Sequence, residues 1–164
     1  MTKLILPAFE PLDLPESNAT SYPEPYRAAN LNRYNRRLGD HVGLKNFGVN
    51  LTRILPGGQS SHRHAHKTQD EFIYVLEGEV TLETNAGKQV LKAGACAGFL
   101  CGTDDAHRFV NHSFADVLLL VVGDRSPGDE VTYPDIDMHG KLGEDGRFRF
   151  TRKDGSPLSS AAAR

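Results

Sequence analysis

The sequence contains no tryptophan, only two cysteines and only two methionines among its 164 residues. Two cysteines do not form a disulfide framework in a chain of this size, so we expect Cys96 and Cys101 to be reduced thiols, with Cys96 buried. The 19 lysines and arginines nearly balance the 21 aspartates and glutamates, so there is no broad basic field that could hold nucleic acid. The composition argues against a disulfide-rich secreted module and against a nucleic-acid partner.

Long apolar runs are also missing. No stretch approaches membrane-spanning length, and the short apolar run at residues 4–6 is interrupted by Pro7 and followed by acids, unlike a signal peptide. We therefore expect a cytoplasmic protein without a membrane partner. At 38% hydrophobic residues, 164 residues can bury one good core and are short for two. The chain is predicted to form a single domain over residues 1–164.

Short strand-like segments separated by turns dominate the middle of the sequence. Apolar residues alternate with smaller or polar ones from Phe47 to Leu51, and Pro56 and two glycines end that run. Similar runs follow, separated by turn residues, at 71–77, 79–84, 88–94, 107–113 and 115–124. With few helical patterns among them, this spacing favours an antiparallel barrel or jelly roll over a parallel α/β sheet. The predicted fold class is therefore all-β.

The two flanks of the sequence lack this alternation. Residues 1–45 are rich in proline, asparagine and arginine, and we expect an irregular N-terminal arm with a turn or short helix through 26–38. Residues 46–123 would form the barrel, and residues 124–164 a C-terminal extension. In that extension we expect Tyr133, Asp135 and Phe148 to fold over the barrel mouth or to reach a neighbouring subunit.

Three of the seven histidines stand at every second position, as His62, His64 and His66. On an extended segment such residues project from one face. Two imidazole nitrogens can reach one ion at about 2 Å each across that spacing. Glu71 follows after a short polar turn, and His107 opens a later strand that barrel closure can bring to the same place. This pattern indicates a metal site whose further ligands come from neighbouring strands.

These residues have the spacing of a known family. The first motif of the cupin superfamily is matched at every anchor, by Gly58-x5-His64-x-His66-x4-Glu71-x6-Gly78. The second cupin motif is matched less strictly, by Gly94, Gly102, His107 and Asn111, with Leu100 in the place of a proline. The chain thus resembles a cupin over residues 46–123. Its flanks resemble a group of small single-domain cupins that are labelled sugar-phosphate isomerases.

The resemblance implies a double-stranded β-helix, which is the jelly-roll barrel of cupins, and a homodimer. It also implies one divalent first-row metal ion, held by His64, His66, Glu71 and His107. Three imidazoles and one carboxylate leave open positions for water or substrate, and Fe, Mn, Ni, Co or Zn would suit them. His62 lies outside the motif, so we expect it to support the ligands and not to be a fifth one.

Three functions are compatible with such a site. Metal-dependent isomerisation of a phosphorylated sugar is favoured, with the ion polarising substrate oxygens while hydrogen moves between neighbouring carbons. Oxidation by dioxygen at ferrous iron uses the same ligands, and a non-enzymatic module would only bind a sugar or small acid. A phosphate needs arginine, lysine or backbone amides, and we predict Arg53 and Arg125 for this role, with Tyr133 as a further substrate contact.

Overall fold

The computed structural model describes residues 4–158, and short antiparallel strands make up most of its regular structure. In these residues the strands are β1 (Arg33–Arg37), β2 (Phe47–Ile54), β3 (Ala65–His66), β4 (Glu71–Glu77), β5 (Glu79–Thr84), β6 (Gly87–Lys92), β7 (Cys96–Phe99), β8 (Arg108–Val110), β9 (Val117–Asp124), β10 (Glu130–Thr132), β11 (His139–Leu142) and β12 (Phe148–Thr151). The helical segments of the same residues are α1 (Leu38–His41) and two 3₁₀ turns, Pro11–Asp13 and Ala28–Asn30. The predicted all-β class is confirmed.

The strands form a jelly roll of two packed layers. One layer is a sheet with the order β1-β2-β9-β4-β7. The other layer contains the sheets β12-β11-β10-β3 and β6-β5-β8. Two isolated backbone bridges, His64–His107 and Gln59–Val110, connect them. Fully buried Ile54 and Leu119 of the first layer pack with Val80 and Phe109 of the second. Each such side chain contributes roughly 1.5–3 kcal/mol on burial, so this core fixes the layers that carry the site.

Strand β4 shows the predicted alternation. Ile73 and Val75 point into the core and are 3% and 0% exposed, and Glu71 shares their parity. The opposite face is 37–43% exposed and consists of Phe72, Tyr74 and Leu76. The homodimer that would cover this outward face stays a prediction.

Two glycines of the first motif are required by close backbone approach. A Cβ atom on Gly58 would lie 2.9 Å from the carbonyl oxygen of Asn32, which no real side chain tolerates. Gly78 has a φ of +82°, and a Cβ there would lie 2.9 Å from the carbonyl oxygen of Asp116. The two turns that flank the histidine and glutamate segment therefore depend on glycine.

The N-terminal arm is more regular than its sequence predicts. The segment 26–38 was expected as a turn or short helix, and it contains a 3₁₀ turn followed by strand β1. Strand β1 pairs with β2 along its whole length, from Arg33 opposite Ile54 to Arg37 opposite Asn50. Its sequence shows no apolar alternation because the inward residues Arg33 and Asn35 line a polar cavity, while outward Arg36 pairs with Glu16.

The C-terminal extension also forms strands, with β10 pairing to β3 and β11 and β12 following it. Buried Tyr133 and Met138 of this extension pack with Tyr22 of the arm in a second apolar cluster. Both flanks of the chain therefore cover the barrel. No helix among residues 4–158 has the length and apolarity to cross a membrane.

Both cysteines are free thiols, as expected, but Cys96 is exposed. The prediction that Cys96 is buried is therefore wrong. The physical reason is its register, because Cys96 lies on edge strand β7 opposite Tyr74, which belongs to the outward face of β4.

Candidate metal centre

Three imidazoles converge because two short segments pair directly. The backbone N–H of His64 donates to the carbonyl of His107 at 3.0 Å, and the N–H of His107 donates back at 2.8 Å. The two residues therefore lie opposite each other, and their rings are 4.8 Å apart. His66 follows two positions after His64 with its ring 4.9 Å away. Cross-strand pairing and side-chain alternation thus bring the three rings together inside the barrel.

Glu71 supplies a carboxylate to this cluster from the other layer. Its Oε2 atom lies 3.0 Å from Nε2 of His107, 3.4 Å from Nε2 of His64 and 3.5 Å from Nε2 of His66. Burial raises the pKa of Glu71, but hydrogen bonds from His107 and His64 outweigh it and hold the pKa well below its usual range. The carboxylate is therefore ionised at neutral pH, with one oxygen facing three ring nitrogens.

Hydrogen bonds fix the orientation of two of the rings. Nδ1 of His64 lies 2.9 Å from the carbonyl oxygen of His62, and Nδ1 of His66 lies 2.6 Å from Oδ2 of Asp129. A ring nitrogen that faces an acceptor can carry the ring proton, and a neutral ring with its proton on Nδ1 has an Nε2 lone pair available for a cation. Two lone pairs and a carboxylate oxygen that face the same point form the donor set of a cation.

His107 is held differently. Its ring stacks on Phe99, with 3.5 Å between centroids and 7° between planes. Burial lowers the pKa of His107, which favours the neutral imidazole that binds metals. Nε2 of this ring faces Oε2 of Glu71 at 3.0 Å and can donate to it, while Nδ1 has no hydrogen-bond partner among residues 4–158. Transfer of the ring proton to Nδ1 would free Nε2 as a metal ligand.

Asp129 orients His66 and carries no motif signal in the sequence. It is fully buried, and its Oδ1 accepts the backbone N–H groups of Lys67 at 3.1 Å and Thr68 at 2.9 Å. Burial alone would lower the pKa of His66, but the hydrogen bond and charge of Asp129, with the charge of Glu71, raise it overall. The centre therefore lies in a negative field that favours a cation.

The donor set fits one divalent first-row metal ion. The ligand atoms of His64, His66 and Glu71 lie within 4.8 Å of one another, and Nε2 of His107 contacts the same carboxylate. Imidazole nitrogens with a single carboxylate suit Fe, Mn, Co, Ni and Zn alike.

His62 does not join the imidazole cluster. Its Nε2 lies 2.8 Å from the carbonyl oxygen of Tyr26, and its ring meets Tyr22 edge-on at 5.0 Å. Residues 60–63 form bends, so the alternation that aligns His64 with His66 does not extend back to His62. The expectation of three histidines on one face therefore fails at His62, whose carbonyl oxygen and not its ring contacts a histidine of the cluster.

The cluster lines a cavity of about 270 Å³. Polar side chains of β1 and β2, namely Asn35, Asn50 and Thr52, form one part of its wall. The arm and the C-terminal extension add the aromatic residues Tyr22, Tyr133, Phe148 and Phe150. This space is large enough for several water molecules or a small metabolite.

Tyr133, which the sequence predicts as a substrate contact, lies on the cavity wall. It is 4% exposed, lines the cavity, and its ring stacks over that of His64 at 6.0 Å. Phe148 also lines the cavity, whereas Asp135 lies outside it and pairs with Arg63 at 2.7 Å. The extension therefore closes the cavity with its aromatic side chains.

The structure does not bring Arg53 or Arg125 to the cavity. Arg53 pairs with Glu16 at 2.6 Å and with Asp116 at 2.7 Å on the outward face of β2. Arg125 pairs with Asp40 and donates to a backbone carbonyl. The parity of β2 explains the first case, because Asn50 and Thr52 are its inward residues and Arg53 has the opposite parity.

A jelly roll with this histidine and glutamate cluster is a cupin architecture, and a cupin-domain family model matches residues 50–123. The chain belongs to the cupin superfamily. A crystal structure of a sugar phosphate isomerase from a cupin superfamily, from Silicibacter pomeroyi, is 43% identical to it. The match covers 93% of this chain and 97% of that one, with a TM-score of 0.89. The predicted resemblance is confirmed.

Two further solved structures are similar. One is a protein from Acidithiobacillus ferrooxidans that is named as a proposed sugar phosphate isomerase. It is 31% identical over 77% of this chain and 80% of its own, with a TM-score of 0.69. The polyketide cyclase RemF from Streptomyces resistomycificus is 20% identical over 76% and 80% of the two chains, with a TM-score of 0.58. This last likeness shows the fold alone. No curated protein matches the chain.

Proposed function

We propose that this protein is a metal-dependent cupin enzyme that isomerises a small phosphorylated sugar. The observation that carries the proposal is the convergence of three imidazoles and one ionised carboxylate on the wall of a cavity of metabolite size. The relative from Silicibacter pomeroyi, named as a sugar phosphate isomerase, supports this reaction class because its likeness extends over nearly the whole chain.

In this proposal His64, His66, Glu71 and His107 hold one divalent first-row ion. When bound, such an ion supplies a Lewis acid that polarises the carbonyl and hydroxyl oxygens of an open-chain sugar. Four protein ligands are fewer than the five or six that several of these ions take, so substrate oxygens can complete the set. Asp129 keeps the Nδ1 proton of His66 in place, which keeps Nε2 of that ring available.

The tyrosines of the cavity hold their protons. Burial raises the pKa of Tyr133 well above its usual range and raises that of Tyr22 as well. Both hydroxyls therefore stay neutral at physiological pH. The hydroxyls of Tyr133 and Tyr22 hydrogen-bond to each other, which leaves one hydroxyl proton of the pair for a substrate oxygen, while the aromatic wall excludes water from the reacting carbons.

The test combines elemental analysis of the purified protein with an assay of sugar interconversion. Pentose and hexose phosphates are incubated with the protein, and aldose and ketose forms are followed by NMR. We expect about one metal ion per chain and an interconversion that a chelator abolishes and added metal restores. Iron content with oxygen consumption on a phenol or diketone would replace the proposal by a dioxygenase. Ligand-dependent thermal stabilisation without any turnover would replace it by a binding module.

A further inference from the structure

Arg33 is the first residue of strand β1 and lines the same cavity as the imidazoles. Its Nη1 atom donates to the carbonyl oxygen of Ser60 at 2.9 Å. Its Nε atom is sealed from solvent and has no hydrogen-bond partner among residues 4–158. Burial lowers the pKa of Arg33, and the neighbouring groups that act on it are a tyrosine and another arginine, with no carboxylate among them.

Two other arginines of the chain each bind a carboxylate through two nitrogens of the guanidinium. Arg53 holds Glu16 through Nε at 3.0 Å and Nη2 at 2.6 Å, and Arg63 holds Asp135 through Nε at 2.9 Å and Nη2 at 2.7 Å. Each pair is a two-point contact between a planar fork and two oxygens of one anion. Arg33 meets no carboxylate in the described part of the chain, and its Nη2 atom, unlike Nε, is both unpartnered there and accessible to a ligand.

Arg33 is half-buried, so part of its guanidinium has lost contact with water. Taking a guanidinium out of water is unfavourable unless an anion compensates its charge. Glu71 is the one carboxylate among the described residues that line the cavity, and its Oε2 is already engaged by the three imidazoles. An anion that enters the cavity from outside the chain would compensate the part of this charge that has lost water.

Two serines connect Arg33 to the imidazole cluster. Ser60 accepts the Arg33 hydrogen bond, its hydroxyl lies 3.3 Å from that of Ser61, and Ser61 Oγ lies 3.2 Å from Nδ1 of His64. On the same inward face of β1, Asn35 accepts a hydrogen bond from a threonine hydroxyl through Oδ1, so its remaining polar group is the NH₂ donor. A cation and an amide donor thus share one small cavity with the metal-type ligands.

We propose that Arg33, assisted by Asn35, binds the anionic group of the substrate, a phosphate or a carboxylate, while the oxygens at the other end of the molecule meet the His64, His66, Glu71 and His107 cluster. This inference rests on the proposed function, because it concerns a ligand of that same site. It assigns to the inward face of β1 the anion recognition that the sequence had suggested for Arg53 and Arg125.

The experiment compares Arg33→Gln and Arg33→Lys with Arg125→Gln, which removes the same charge outside the cavity. Titration calorimetry on the protein as purified measures binding of inorganic phosphate, a hexose 6-phosphate, the unphosphorylated hexose and a sugar acid. Arg33→Gln should weaken binding of the preferred anion about 10- to 100-fold, because a charge-assisted contact is lost. Arg33→Lys should weaken it about tenfold, since the charge remains without the fork. Arg125→Gln should change it less than about twofold, and no variant should lose metal.

The set of ligands distinguishes a phosphate from a carboxylate, and it separates this inference from the proposed isomerase function. Tighter binding of the hexose phosphate than of the sugar acid identifies a phosphate ligand, and the reverse order identifies a carboxylate; either supports Arg33. Wild-type protein that binds none of these anions, or Arg33→Gln protein that binds them equally well, overturns the inference. A sugar phosphate that binds through Arg33 but is never converted leaves the inference intact and defeats the isomerase proposal. If Arg33→Gln does not fold, Arg33→Lys carries the comparison, with melting temperatures as the check.

Discussion

The two faces of the β1–β2 strand pair carry arginines in opposite circumstances. On the outward face, Arg36 and Arg53 both contact Glu16 at 2.6 Å, and Arg53 also pairs with Asp116. On the inward face, Arg33 meets no acid among the described residues. The outward charges are balanced within the chain and fasten the arm to the barrel, whereas the inward charge of Arg33 has no acidic partner among the described residues and, in our proposal, meets the anion of a ligand. One face therefore serves stability and the other serves binding.

The largest expected effect is the loss of metal from the imidazole cluster inside the barrel. The double variant His64→Ala, His66→Ala removes two of the three imidazoles that face Glu71, so metal affinity should fall by more than about 100-fold. Elemental analysis of the purified variant measures this loss. His62→Ala is the matched control, because the His62 ring bonds to a backbone carbonyl of the arm and should leave most of the metal in place. Stoichiometric metal in the double variant would refute the assignment.

Asp129→Asn tests the same metal site without removing one of its ligands. The backbone N–H groups of Lys67 and Thr68 hold the remaining oxygen of the side chain, so its new NH₂ group would face Nδ1 of His66. That donor favours the tautomer with its proton on Nε2, and metal affinity should drop about 10- to 100-fold. Competition with a chelator measures the affinity, and a melting curve checks folding. An unchanged affinity would show that Asp129 has no part in orienting the ring.

Glu16→Gln tests the outward face. It should lower the free energy of unfolding by about 1–2 kcal/mol at pH 7, because the ion pairs of Glu16 with Arg36 and Arg53 are weakened, while metal content and anion binding stay unchanged. Hydrogen bonding from Arg53 holds the pKa of Glu16 below its usual range. Its contribution is therefore present above about pH 4.3 and lost as the pH falls through the lower, folded-state pKa.

Urea unfolding at pH 7 and near pH 3 measures the difference between Glu16→Gln and the wild type, which should shrink at the lower pH. Asp145→Asn, in an exposed pair with Arg149, is the control and should cost less than about 1 kcal/mol at either pH. If Glu16→Gln instead weakened anion binding while leaving stability untouched, the division of roles between the two faces would be broken.

Most of the histidine and glutamate cluster could be predicted from the sequence, because strand alternation and turn spacing determine it. His64 and His66 share a face by strand alternation, Glu71 shares the parity of buried Ile73 and Val75, and the glycine spacing marks the turns between them. His62 was misplaced because alternation requires an extended backbone, and residues 60–63 bend. Asp129 reaches His66 through a tertiary contact that no local spacing encodes.

The inward face of strand β1 could not be predicted from the local sequence, for a related reason. Strand β1 reads RYNRR, which offers three arginines and no apolar alternation, so neither the strand nor its inward members could be identified. Only the pairing of Arg33 with Ile54 and of Asn35 with Thr52 shows which side faces the cavity. A polar cavity thus removes the hydrophobic signal from the strand that lines it.

The placement of the tyrosines has an optical consequence. The chain has no tryptophan and five tyrosines, and two of these, Tyr22 and Tyr133, line the cavity. The intrinsic ultraviolet fluorescence of the protein therefore comes from tyrosine alone, and part of it originates beside the imidazoles. A paramagnetic ion entering the cluster quenches that part, so the molecule carries its own label-free reporter of occupancy.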